Sequence, residues 1–231
     1  MIPPADWQIP AVRAGVTRML QARSRAIARG ERPIGWKLGF GAPAFLEKFG
    51  LTGPLVGFLT DAGQRPSGAR VPVDGWTRPV AEPEIAAYLG GDVGDPGEIE
   101  SGIVALGPAI ELADIDKPPE DIEEVMTGNI FHRAVILGEP DPARAGARVD
   151  GLLARVVVDG EPVATVDEVE ELTGRFVEVL RHSVSLLQAA NETFRAGDVV
   201  ILGSVIPPVS VTPGQEVGFE VAGSPAISVR V

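Results

Sequence analysis

The chain has 231 residues, 45% of them hydrophobic, and a net charge of −12. That size allows one domain around a sizeable core, and the acidic balance argues against nucleic acid and anionic membranes, which need a basic footprint. The absence of cysteine excludes disulfides, thiolate nucleophiles, Cys-type zinc sites and iron–sulfur clusters.

The first residues lack the basic-then-apolar pattern of a secretory leader. No apolar run approaches the ~20 residues of a membrane span. The expected compartment is the cytoplasm. Residues 10–29 read as a helix, with Val12, Val16, Met19, Leu20 and Ile27 at helical spacing, arginines on the other face and Gly30 as the stop. Residues 34–40 read as a strand, and 43–49 as a short helix with Pro43 in its first turn. Residues 50–78, rich in Gly and Pro, read as irregular. Strands are then expected at 80–89, 105–113, 129–138, 152–158, 161–166, 198–203, 216–221 and 226–231. Asp159-Gly160 marks a tight hairpin. A second long helix covers 174–190, with Phe176, Leu180, Leu186 and Leu187 toward the core. From Asp114 to Glu124 the acidic run reads as a solvated loop and helix.

This order is not a regular βαβ alternation. The expected fold class is α+β, with a mixed, mostly antiparallel, sandwich-like or rolled sheet and a helical N-terminal part. Residues 1–78 would form that part and 79–231 a β-rich core, integrated into one domain.

The chemistry concentrates in three segments. Glu82 and Glu84 sit two apart in the strand Pro79–Leu89, so both point to one face, with Cα atoms roughly 6–7 Å apart. Such a pair either decorates a solvated strand face or holds a hard cation. Glu111 follows in the apolar run Ala105–Ala113, where a buried carboxylate must be paired, protonated or metal-bound. Three carboxylates without a nearby Cys or His suit Mg²⁺ or Mn²⁺ better than Zn²⁺. Lys37, one of only three lysines, lies in Gly35-Trp36-Lys37-Leu38-Gly39. It reads either as a snorkelling surface group or as a cation that orients a substrate carboxylate or serves as an acid. His132 opens a strand and could line a pocket, whereas His182 falls in the second long helix and reads as a structural or surface residue. The dinucleotide, Walker and serine-hydrolase motifs are all missing.

In their order along residues ~10–231, these segments resemble the fumarylacetoacetate hydrolase superfamily. The likeness is to its 2-oxopent-4-enoate (2-hydroxypenta-2,4-dienoate) hydratases and 4-oxalocrotonate decarboxylases. It rests on Gly35-Trp36-Lys37-Leu38-Gly39, Glu82-Pro83-Glu84-Ile85-Ala86, Pro108-Ala109-Ile110-Glu111, Gly197-Asp198 through Gly203-Ser204, and Val211-Thr212-Pro213-Gly214. The resemblance implies Mg²⁺ or Mn²⁺ on Glu82, Glu84 and Glu111. It implies Lys37, Asp61 and His132 as catalytic candidates, and Lys37, Gly39 and Ser204 about the substrate. Asp61, in Gly57-Phe58-Leu59-Thr60-Asp61, is the nearest match to an acidic residue that is often catalytic in the family. The chain departs from the family pattern at Gly128-Asn129-Ile130-Phe131, at Leu172 to Phe176 and at Leu202-Gly203.

The implied reaction is hydration of a 2-hydroxy-2,4-dienoate to a 4-hydroxy-2-oxo acid, in the catabolism of aromatic compounds. Alternatives within the family are a 4-oxalocrotonate-type decarboxylase and an acylpyruvate- or fumarylpyruvate-type C–C hydrolase. Of another class is a non-catalytic partner subunit of a homologous enzyme. Homo-oligomers are expected by the same resemblance, with Trp7 and Trp76 as exposed aromatics.

Overall fold

The computed structural model describes residues 4–231. In chain order the elements are α1 (Pro10–Ala28), β1 (Pro33–Gly39), α2 (Pro43–Phe49), β2 (Leu55–Thr60), β3 (Gln64–Arg65), β4 (Ala69–Arg70) and β5 (Pro79–Leu89). There follow α3 (Ile99–Gly102), β6 (Ile103–Asp114), α4 (Ile122–Thr127), β7 (His132–Leu137), β8 (Ala154–Val158) and β9 (Glu161–Val166). The chain ends with α5 (Phe176–Ala189), β10 (Val199–Ser204), β11 (Val209–Ser210), β12 (Glu216–Val221) and β13 (Ile227–Arg230). Among these residues no helix is long and apolar enough to cross a membrane.

Helix α1 starts on Pro10, where proline's missing N–H costs nothing. It buries Val12, Gly15, Val16, Met19 and Ala26. The apolar stripe departs from expectation near its end, since Ile27 is exposed. One arginine joins the packed side: the Arg23 guanidinium lies 4.7 Å over the Trp36 ring. In α5 the expected Phe176, Leu180, Leu186 and Leu187 are all buried. His182 Nε2 lies 3.4 Å from the buried Asp6 carboxylate, and burial holds the imidazole pKa below its ordinary value.

Two sheets form the body. The larger runs β2-β1-β10-β5-β6-β7-β3, with β11 added to β5; the smaller runs β4-β13-β12-β8-β9. Most pairings are antiparallel, and β1 with β10 is the longest parallel one. The Asp159-Gly160 hairpin has both residues at positive φ, 52° and 86°, as a type I′ turn requires.

Strand β2 was not legible within 50–78. Leu55-Val56-Gly57-Phe58-Leu59-Thr60 is almost wholly buried, and its run of apolar residues lacks the alternation that marks a half-exposed strand. The expected strand 129–138 also starts late. Asn129, Ile130 and Phe131 form a left-handed turn, with φ of 56°, 51° and 64°. The Asn129 side chain clamps that turn to β2, its Oδ1 accepting from the Phe58 N–H at 2.8 Å and its Nδ2 donating to the Phe58 carbonyl at 2.9 Å. Trp7 and Trp76 pack against the core and are not the exposed aromatics expected.

The larger sheet curls. Lys37 on β1 and Glu111 on β6 stand three strands apart in sheet order, about 14 Å in a flat sheet at ~4.8 Å per strand. Their charged groups nevertheless meet at 2.6 Å. The concave face of this half-barrel carries Lys37, Glu82, Glu84 and Glu111. Beneath them a separate apolar floor is made by Leu59, Ala86, Ala109, Val135, Val199 and Ile201. Side chains of opposite parity on the same strands, including Trp36, Leu38, Ile85, Ile110 and Leu112, enter the larger core. The strand period of two therefore separates charge from core.

Gly57 faces Lys37 in register. A Cβ there would lie 2.7 Å from Asn129 Oδ1 and 2.9 Å from Lys37 Cγ, and neither group is free to move. Gly57→Ala is expected to destabilise the protein by about 1–3 kcal/mol, read as a lower urea midpoint at unchanged slope.

Candidate metal centre

Strand β5 places Glu82 directly opposite Glu111 on β6. One carboxylate oxygen from each of Glu82, Glu84 and Glu111 lies within 4.8 Å of the others. Glu84 and Glu111 are buried, and Glu82 keeps partial contact with the cavity. The Glu84 carboxylate is aimed by a bulge in β10, where the register with β5 shifts between Ile201 and Ser204. There the Gly203 N–H donates to Glu84 Oε2 at 2.7 Å. Gly203 has φ +96°, and a Cβ on it would press on Thr173 Cγ2 at 2.9 Å, so the bulge calls for glycine.

Lys37 is 1% exposed, which excludes the snorkelling reading. Its ammonium donates to Glu111 Oε1 at 2.6 Å, to Glu111 Oε2 at 2.5 Å and to the Ile130 carbonyl at 3.0 Å. An ammonium has three protons, and all three are committed. Lys37 thus lines the cavity with its ammonium held between Glu111 and the Ile130 carbonyl. His132 Nδ1 shares Glu111 Oε1 at 2.7 Å. It stands behind the carboxylate and does not line the cavity.

Asp61 does not join the site. Its carboxylate turns to Arg32, accepting from Nε at 2.8 Å and from the backbone N–H at 2.9 Å, and that pair holds its pKa below the usual range. The basic neighbour in Arg32-Pro33, one strand away, draws the carboxylate outward.

Electrostatics set the three glutamates apart. Burial alone would raise Glu111, but the adjacent Lys37 ammonium and the His132 hydrogen bond outweigh it and hold the carboxyl below its ordinary value. Burial, with the Glu111 charge, pushes Glu82 up to about 7. Burial likewise raises Glu84, reinforced by both other carboxylates. Burial would lower Lys37, but the three glutamates raise it, so it stays a cation. Like charges gathered in a low-dielectric site lack one positive charge. Their donor atoms are all hard oxygens, and a carboxylate oxygen can accept from more than one partner. The set fits a hard divalent cation.

The cluster opens into a cavity of about 430 Å³. Lys37, Gly39, Arg78, Glu82, Glu84 and Ser204 line its polar side. Gly39 and Ser204, expected about the substrate, both line this cavity. Arg78 was not singled out in the sequence, although it adjoins Pro79 at the start of the acidic strand. Its backbone N–H is fixed by Asp114 Oδ1 at 2.8 Å, and its guanidinium has no ion-pair partner among the described residues. Phe40, Ile130 and Phe131 line the cavity in left-handed backbone conformations, each costing about 1–3 kcal/mol for a non-glycine residue.

Residues 52–231 match the model of the fumarylacetoacetate (FAA) hydrolase C-terminal family. The chain belongs to this family. Curated relatives are enzymes: a 2-hydroxyhexa-2,4-dienoate hydratase of Comamonas testosteroni is 26% identical over 88% of this chain and 80% of its own. The fold matches that of 4-oxalocrotonate decarboxylase from Pseudomonas putida G7, complexed with magnesium and adipate, at TM-score 0.81 and 23% identity. That match covers 92% of this chain and 82% of the other. A fumarylpyruvate hydrolase from Pseudomonas aeruginosa, in complex with Mn²⁺ and pyruvate, matches at TM-score 0.66 and 19% identity, over 87% and 89% of the two chains. The α+β, rolled-sheet architecture expected for this FAA hydrolase family is therefore the one found.

In the metal-free protein, the folded pKa of Glu82, about 7, exceeds its ordinary 4.5. The folded state then binds more protons than the unfolded one, so stability from this group is present below about pH 4.5 and lost as pH rises through 7. Glu84 acts in the same direction, and Glu111, with its lowered pKa, titrates below this window. Melting in EDTA should fall from pH 5.5 to pH 8, and Glu82→Gln should flatten that slope. Mg²⁺ at a hundred times its Kd should stabilise the protein by about 2.7 kcal/mol at pH 8, and the same concentration should stabilise it less at pH 5.5.

Proposed function

We propose that this chain is a divalent-metal-dependent hydratase of 2-hydroxy-2,4-dienoates of the 2-oxopent-4-enoate type, giving 4-hydroxy-2-oxo acids. The observation that carries the reading is the Glu82, Glu84 and Glu111 cluster at the base of a cavity large enough to admit a small organic acid. The names of its relatives point to the same substrate class.

Glu82, Glu84 and Glu111 would hold Mg²⁺ or Mn²⁺. The bound ion supplies Lewis-acid stabilisation of negative charge on the substrate's carboxylate and 2-oxygen. Lys37 keeps Glu111 ionised and supplies a fixed, buried positive charge beside the anionic substrate. His132 acts through Glu111, fixing the carboxylate from behind, and is a positioning residue. Ser204, whose hydroxyl donates to the Pro83 carbonyl at 3.3 Å, lines the cavity at the bulge that also aims Glu84. The apolar wall limits the water that reaches the reacting carbons.

A decarboxylase is the second reading. The fold match to 4-oxalocrotonate decarboxylase favours it, and Arg78 gives it a group to meet a second carboxylate.

The purified chain with Mg²⁺ should consume 2-hydroxypenta-2,4-dienoate with loss of dienol absorbance and gain of one water in the product mass. EDTA should stop the reaction, and Mg²⁺ or Mn²⁺ should restore it. Glu84→Gln should lower kcat/KM by about a hundredfold or more, or ~2.7 kcal/mol. Release of CO₂ from 4-oxalocrotonate without hydration would favour the decarboxylase. No turnover of either substrate by metal-loaded protein would favour a non-catalytic partner subunit.

A further inference from the structure

The carboxylates occupy only the base of the cavity. Away from them the wall is apolar, built from Phe40, Phe45, Ile115, Ile130, Phe131 and Leu172. The aromatic rings form one connected group. Phe40 meets Phe45 edge-on at 4.9 Å and Phe131 at 6.3 Å, and Phe45 stacks on Phe49 at 6.2 Å. Helix α2, which carries Phe45 and Phe49, has no buried residue, and the Phe45 ring remains 36% exposed. The core does not demand that ring.

Two further observations point the same way. All three bulky apolar residues with left-handed backbone, Phe40, Ile130 and Phe131, line this cavity. Backbone strain of this kind clusters at ligand walls. Room is also cleared for the wall, because a Cβ on Gly39 would meet Ile130 Cγ2 at 2.9 Å. A five-carbon dienoate would fill only part of the 430 Å³. Besides Lys37, Arg78 is the only cation lining the cavity among the described residues, and it is exposed.

Building on the reading of a metal-dependent 2-oxo-acid site, we infer that the substrate's far end is an aryl or bulky apolar group rather than a second carboxylate. The Phe40, Phe45 and Phe131 wall selects it. An aromatic tail would lie against these rings in offset or edge-to-face contact, while the 2-oxo-acid head reaches the glutamates. Phe45 is the specificity residue that can be removed without opening the core.

The test is calorimetric titration of the Mg²⁺-loaded protein with pyruvate, 2-oxo-4-phenylbutanoate and 2-oxoadipate, repeated in EDTA. The phenyl acid should bind about tenfold or more tightly than the other two, as expected for burying one aromatic ring. Phe45→Ala should remove most of that advantage and leave pyruvate affinity within about twofold. Arg78→Met should leave the phenyl acid's affinity unchanged. Tighter binding of 2-oxoadipate, abolished by Arg78→Met, would overturn the inference, as would equal affinity for all three acids. In both cases, pyruvate binding that needs Mg²⁺ would leave the metal-site reading standing. Pyruvate binding unaffected by EDTA, or absent, would sink that reading and this inference together.

Discussion

The ion pair between Lys37 and Glu111 is the constraint around which the rest is arranged. Both side chains are almost wholly withdrawn from solvent. Burying one charge alone would cost several kcal/mol, so the pair survives only with every remaining donor and acceptor satisfied. The fold supplies those partners from distant parts of the chain. The Ile130 carbonyl takes the third ammonium proton, and His132 takes a lone pair of Glu111. Asn129 fixes the turn that delivers the carbonyl, and Gly57 leaves space for both Asn129 and the lysine stem. The curl of the larger sheet follows from the same demand, because the two charges start three strands apart.

That pair also divides labour among the carboxylates. Glu111 is neutralised from behind and remains an anion. Glu82 and Glu84 have no such partner and resist ionisation while the site lacks a cation. The protein therefore builds a site short of positive charge and keeps it rigid through strands and a glycine bulge. Rigid placement of first ligands on sheet strands gives a precision that loops seldom match.

Much of this was written plainly in the sequence. The acidic pair in β5, Glu111 in an apolar strand and the buried face of α5 follow from periods of two and 3.6, and the Asp159-Gly160 hairpin from the turn preference of Asp-Gly. Other parts were not, for identifiable reasons. Strand β2 has no alternation because both its faces are covered. Asn129, Ile130 and Phe131 have strand-like side chains but a left-handed backbone, held by a clamp to a strand 71 residues away in sequence. The burial of Lys37 depends on the sheet's curvature, which no local pattern encodes. Asp61 looked catalytic by position, yet its carboxylate is claimed by Arg32, a contact made only when β1 and β2 pair. Arg78 adjoined a recognised motif and carried no pattern of its own.

Pro83 lies between the two glutamates, in a strand paired on both sides. Proline cannot donate to a ladder, and the β10 bulge beside it leaves the Gly203 N–H to the Glu84 carboxylate. A one-residue slip in a sheet turns every side chain to the other face. Here it would drive Glu82 and Glu84 into the packed apolar layer and bring Pro83 and Ile85 out into the cavity. Such a misaligned sheet would carry unpaired charge in its core and could not close. The acidic face therefore helps fix the register of the sheet, because the slipped alignment would bury unpaired charge.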